Sequence, residues 1–243
     1  MSTGAIIKRK GRLRPPILQV SYQVVEKTKS SSCSLCKITP SLYISSYEAA
    51  KNPELLSSAS ITHILNLAGE SKCPNLLSSS YHYFSLKMPD NPKIDILFFL
   101  YFAIEIIIDS IRCKGKILVH CVKGTSRTAA VVLAYLMIQG YNEQDAYLYM
   151  NNANPNIDPN FGFVCQLKEF REIKDETRVF YYSEKYEMFV NVETQFGPRI
   201  EIVGNSCTLF LNDEASVIQR KIALQSLRLW EMFNCTSASI VYM

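Results

Sequence analysis

The sequence predicts an α/β domain with a central sheet flanked by helices, followed by a small α+β region, and three observations carry that prediction. Lys116-Ile117-Leu118-Val119-His120 is a continuous apolar run of the kind found in strands covered on both faces. Strand and helix signals alternate from residue 38 to about 175, the order that lays helices over a sheet. After residue 176 short strand signals come in succession and are followed by one helix. The expected units are a basic extension over 1–37, the main domain over 38–175 and the α+β region over 176–243.

Residues 1–37 are basic and then rich in Ser and Lys, with no sustained period, the composition of a flexible tail or linker. Residues 42–44 read as a short strand, 61–67 as a buried one and 81–88 as a third with alternating character. Pro92 precedes a long helix expected over 93–112, which Lys114-Gly115-Lys116 ends. The central strand follows, then helices over 126–138, closed by Gly140, over 143–152 and over 161–174. Beyond residue 176 strands are expected over 178–182, 188–192, 200–203 and 208–211, then a helix from 213 to about 233. Ala223, Leu227 and Trp230 share one stripe of that helix, which reads as packing against a core.

The chain has 243 residues, enough to bury a sizeable core. Its 48% hydrophobic and 20% charged content excludes disordered, collagen-like and coiled-coil classes. The net charge of +4 is unevenly spread: residues 1–30 hold seven Lys/Arg against one Glu, so the remaining 213 residues carry −2. A faintly acidic body argues against a nucleic-acid-binding core, which needs a basic face of its own. The longest apolar stretch, 94–108, contains Asp95 and Glu105 and is shorter than the about 20 residues of a membrane span, so no span is expected. Eight scattered cysteines and an N-terminus without a signal-peptide apolar run point to free thiols in a reducing compartment, the cytoplasm or nucleus.

The chemistry concentrates where the apolar strand meets a helix, at His120-Cys121-Val122-Lys123-Gly124-Thr125-Ser126-Arg127-Thr128. A loop between a strand and a helix N-terminus turns successive backbone N–H groups inward, and the helix dipole adds partial positive charge, so residues 122–127 form a cup suited to phosphate. The same amides are expected to stabilise the Cys121 thiolate below the ~8.5 of a free cysteine, making it a nucleophile at neutral pH. Arg127 brings a planar guanidinium able to hold two phosphoryl oxygens, a fork that lysine lacks. Gly124 suits a position of positive φ or close approach, and the Thr128 hydroxyl can donate to the departing sulfur. His120 is read as orienting the loop. Cys-x5-Arg alone is a weak signal; His before the Cys, Gly three after it and the strand–helix flanks make it specific.

This segment resembles the His-Cys-x5-Arg-Ser/Thr signature of the cysteine-dependent protein phosphatases. Ala134-Tyr135-Leu136-Met137, Asn160-Phe161-Gly162-Phe163 and Gln166-Leu167 are similar to stretches of the dual-specificity phosphatases, in particular the plant-type MAP kinase phosphatases. The resemblance implies the cysteine-phosphatase fold, with a central mixed sheet flanked by helices. It also implies hydrolysis of phosphotyrosine and phosphoserine or phosphothreonine through a phosphocysteine, without cofactor or metal. Met88-Pro89-Asp90, 31 residues before Cys121, matches the family's acid loop, which makes Asp90 the general acid. Asp95 is its rival, although its place at the helix start suits capping.

Two other classes stay open: a phospho-binding scaffold without turnover, against which the complete set Cys121, Arg127 and Asp90 speaks, and a phosphatase of a non-protein anion. Lys123 puts a charge beside the cup that would suit a phosphoinositide or an RNA 5′-phosphate. Cys33 and Cys36 form a CxxC pair, but no second close pair follows to complete four zinc ligands. Cys73 is a candidate redox partner of Cys121. The basic and apolar run over 8–20 resembles MAP kinase docking motifs; nuclear targeting and a plain solubilising tail are its other readings.

Overall fold

The computed structural model describes residues 34–77, 80–170, 177–191, 197–203, 206–234 and 238–242. Residues 8–20 and Cys33, on which the docking and zinc readings rest, lie outside them.

The first sheet contains β1 (Cys36–Lys37), β2 (Leu42–Ser45), β3 (His63–Asn66), β4 (His82–Ser85) and β5 (Ile117–His120), in the spatial order β1-β2-β5-β3-β4. It is mixed: β1 runs antiparallel to β2, whereas β2, β5, β3 and β4 are mutually parallel. The apolar run 117–119 therefore lies in the middle strand, buried on both faces. Alternation sorts its side chains: Ile117 and Val119 join Leu42, Ile44 and Leu65 in the large core, while Leu118 joins Tyr43 and Ile64 in a smaller cluster on the other face. That smaller face is covered by two short helices that the sequence reading did not anticipate, α1 (Tyr47–Ala50) and α2 (Pro53–Ser58). Ser46 and Asn52 cap them by accepting first-turn N–H groups, and Pro53 starts the second.

The large face carries α3 (Leu97–Arg112), α4 (Arg127–Ile138), α5 (Glu143–Ala153) and α6 (Phe161–Glu169). Two expectations need correcting. Helix α3 begins at Leu97 and not at 93, because Asp95 Oδ1 accepts the Leu97 N–H at 3.0 Å and ends the preceding turn there. The strand expected over 81–88 is confined to 82–85; β4 is an edge strand paired on one side, and its residues are largely exposed.

The C-terminal region forms a second five-stranded sheet, from β6 (Thr177–Ser183), β7 (Met188–Val190), β8 (Arg199–Val203), β9 (Ser206–Leu211) and β10 (Ala238–Tyr242), in the order β10-β9-β8-β6-β7. Its pairings are antiparallel except β10 with β9, which the crossover helix α7 (Val217–Asn234) makes parallel. The strand β10 was missed by sequence reasoning, although Ala-Ser-Ile-Val-Tyr has strand character. Ala223, Leu227 and Trp230 are buried as expected.

Helix α3 explains how the two halves join. Most of its first eight residues are apolar, and all eight are buried, a pattern that demands cover on two sides. One side packs on the first sheet and α4. The other meets the C-terminal region: Phe98 packs edge-on against Phe180 with centroids 5.1 Å apart and against Phe189 at 5.9 Å, and Tyr101 stacks on Phe233 at 4.7 Å. Glu105 accepts from Gln225 at 3.0 Å and lies 3.6 Å from the Arg228 guanidinium. No helix among the described residues is long and apolar enough to cross a membrane.

Candidate active site

The site lies at the carboxyl end of β5, between β2 and β3 and ahead of the N-terminus of α4, where parallel sheets place their ligands. Gly124 turns the loop at φ +77°, and its close approach is obligatory: a Cβ there would lie 2.5 Å from the carbonyl carbon and oxygen of Ser45. Tyr47 fixes the start of the loop by donating its N–H to Val122 O at 3.0 Å, and Asp158 fixes its far side by donating to Thr125 O at 3.0 Å.

Cys121 is buried, and its Sγ accepts the Gly124 N–H at 3.2 Å. Arg127 comes from the first turn of α4 and is likewise buried, with Nη1 donating to Met88 O at 3.3 Å. Its Nε lies 3.5 Å from Asp90 Oδ2, an ion-pair contact too long for a good hydrogen bond, and has no hydrogen-bond partner among the described residues. The Thr128 hydroxyl is buried without a hydrogen-bond partner among the described residues. Ser126 occupies the N-cap of α4 but its side chain makes no cap hydrogen bond, so among the described residues no side-chain cap satisfies the first-turn N–H groups at the cup.

The Ser126 hydroxyl goes to Asp90 instead, donating to Oδ1 at 2.7 Å. Asn160 donates to the same oxygen through Nδ2 at 2.9 Å, while its Oδ1 accepts from Phe163 and caps α6. Its backbone N–H reaches Ser126 Oγ at 3.3 Å. Sequence reasoning missed Asn160 as a site residue. The available signal was its place as an N-cap residue opening a helix. Gly162 lets that helix approach the acid loop, since a Cβ there would meet Pro92 O at 2.1 Å.

The structure thus brings Cys121, Arg127, Asp90 and the 122–127 loop together, while the rival Asp95 is elsewhere. It precedes α3 and pairs with Arg178. Lys123 and Val122 are exposed. His120 lies behind the loop, its Nδ1 3.3 Å from Cys121 O and its ring stacked on Tyr47 at 6.0 Å. Burial, with a smaller contribution from Arg127, lowers its pKa to about 4, so it is neutral at physiological pH.

The other cysteines differ in kind. Burial pushes the Cys36 thiol up to about 11, and it donates to Ala153 O at 3.1 Å. Burial likewise raises Cys207 to about 12. Cys73 is buried and raised chiefly by burial, and Arg127 and Cys121 are among the groups whose charges act on it. Among the described residues no three metal-ligating side chains cluster.

A strand–loop–helix cup with a buried cysteine, an arginine folded beside it and an aspartate facing that arginine belongs to cysteine-dependent phosphate chemistry. The dual specificity phosphatase catalytic domain family matches residues 42–173, over half of the chain, and the chain belongs to that family. It is 39% identical over 132 residues to the protein-tyrosine-phosphatase MKP1 of Arabidopsis thaliana, a match covering 54% of this chain and 17% of that protein. It is 38% identical over 136 residues to human dual specificity protein phosphatase 4, covering 55% and 34% respectively. The matches therefore span 34% or less of these relatives' length. Two solved structures are similar. Human DUSP28 has 31% identity and a TM-score of 0.53, over 56% of this chain and 94% of that one. The human tyrosine phosphatase-like serine/threonine/tyrosine-interacting protein has 34% identity and a TM-score of 0.54, over 58% and 97%.

Proposed function

We propose that the protein is a dual-specificity protein phosphatase that hydrolyses phosphotyrosine and phosphoserine or phosphothreonine through a phosphocysteine. The carrying observation is that Cys121 and Arg127 converge on one cup with Asp90, which lies 31 residues before the cysteine. In the first step Cys121 Sγ attacks phosphorus, the bond to the leaving oxygen breaks, and Asp90 gives that oxygen its proton. In the second, Asp90 takes a proton from water, whose oxygen attacks phosphorus and displaces the sulfur. Loop amides 122–127 and the Arg127 fork hold the phosphoryl oxygens throughout. Thr128 supplies a hydroxyl to the departing sulfur, a role that suits a buried hydroxyl with no other partner among the described residues. His120, neutral and bonded to its own loop, orients and is not the base.

The full chain is expected to release phosphate from an aryl phosphate and from peptides carrying phosphothreonine and phosphotyrosine. Faster turnover of a phosphoinositide or an RNA 5′-phosphate than of any phosphopeptide would transfer the assignment to a non-protein substrate, the reading favoured by the exposed Lys123. Likeness to the MAP kinase phosphatases supports a MAP kinase as substrate, docked on residues 8–20. Deleting residues 1–20 should then weaken kinase binding about tenfold or more, as expected where several charges and two apolar anchors are lost, and leave aryl phosphate hydrolysis unchanged. Unaltered kinase binding would remove the docking role.

A further inference from the structure

The loop that carries Asp90 is held by the C-terminal sheet at both of its ends. On the N-terminal side Lys87 pairs with Glu187, which sits at positive φ, +53°, in the turn joining β6 to β7. On the C-terminal side the Asp95 carboxylate pairs with Arg178 of β6. The Asp95 backbone N–H donates to Asn191 Oδ1 at 2.8 Å, and Asn191 Nδ2 donates to Lys93 O at 3.4 Å. The hairpin making these contacts is itself pinned, because Phe180 and Phe189 pack on Phe98 of α3. Between the two contacts lie Met88, buried, and Asp90.

We propose that the β6–β7 hairpin is a clamp that positions the acid loop, so that Glu187, Arg178 and Asn191 are positioning residues for protonation of the leaving group. The inference rests on the reading of Asp90 as general acid. Ser126 and Asn160 orient the carboxylate; Arg127 at Met88 O and Gln166 at Ile94 O each add one bond to the backbone that carries it, and the hairpin fixes that backbone at its two ends. An acid must lie within hydrogen-bond reach of the leaving oxygen, and a small displacement by a remote change is costly. The Arg178 contact matters most, since Asp95 is only 13% exposed and would be left partly desolvated without its partner. The Lys87–Glu187 pair is exposed, and simple deletion of such a pair has little effect, so charge reversal is the sharper probe.

The test compares two substrates in the full-length protein. A phosphothreonine peptide has a poor leaving group that needs the acid, and an aryl phosphate of a strongly acidic phenol barely needs it. Arg178→Ala and Glu187→Lys should each lower kcat/KM, which ends at phosphocysteine formation, by about tenfold on the peptide and change it little on the aryl ester. The double variant Lys87→Glu/Glu187→Lys should recover most of the loss. Arg199→Ala, which breaks a pair with Glu201 elsewhere in the same sheet, should alter neither rate. An equal fall on both substrates, no fall on either, or no recovery in the double variant overturns the clamp. Absence of wild-type turnover on the aryl ester would instead overturn the phosphatase reading, and the clamp with it.

Discussion

Cys121→Ser is expected to lower phosphate release from an aryl phosphate by at least about 10⁴-fold, the scale on which removal of a covalent nucleophile acts. The substitution is nearly isosteric, so the Gly124 N–H now at 3.2 Å from Sγ still finds an acceptor and the cup keeps its shape. What disappears is reactivity. A serine hydroxyl needs a base to take its proton, and the loop offers none: His120 faces Cys121 O at 3.3 Å from behind and stacks on Tyr47. Phosphopeptide affinity should persist, because the loop amides and Arg127 remain, and no phosphocysteine should be trapped on rapid acid quench. Phosphate release by neither wild type nor variant would mean that the cup binds phosphate without turning it over, and equal release by both would remove Cys121 as the nucleophile.

Asp90→Asn is expected to reduce kcat/KM on a phosphothreonine peptide by about 10²–10³-fold, the span a positioned general acid supplies. The amide oxygen can still accept from Ser126 Oγ and Asn160 Nδ2, so these two bonds survive while the proton and the charge facing Arg127 are lost. The reduction in kcat/KM should shrink as the leaving group becomes more acidic, because that ratio ends at phosphocysteine formation. A uniform loss across leaving groups would show that the substitution had disturbed Arg127, whose Nε lies 3.5 Å from the same carboxylate, and would remove Asp90 as the acid.

What could be read from the chain was what neighbouring residues decide among themselves. The continuous apolar run ending in His120 is a middle strand because no polar residue interrupts it. Gly124 marks the turn because a side chain would collide with Ser45, and the glycines at 124 and 140 both adopt positive φ. The Cys121-to-Arg127 spacing is likewise local, a single loop feeding one helix. Even the Met88-Pro89-Asp90 segment was found through resemblance in sequence, with no knowledge of what surrounds it.

Errors arose where a remote partner decided the outcome. Asp95 looked like an inner residue of a helix starting at 93, but it bonds Leu97 and a residue 83 positions away, Arg178, and the helix starts after it. Asn160 looked like a helix cap, and it is one; its second bond, to Asp90 70 residues earlier, gives it a place in the site. The apolar surround of α3 announced a buried helix without naming what buries it. Strand β10 was overlooked because five residues carry little pattern, and it is defined by pairing with β9 across the α7 crossover.

Residue order and stereochemistry alone therefore place Cys121, Arg127 and the loop that joins them, since all three lie within seven consecutive residues and depend on hydrogen bonds of short range. The segment around Asp90 is contacted by Ser126 and Asn160 from one side and by Glu187, Arg178 and Asn191 from the other, across up to 100 residues of sequence. Such contacts form only once α3 has buried one face on the first sheet and the opposite face on the C-terminal region, and hydrophobic burial without direction cannot be read from the spacing of the residues that undergo it.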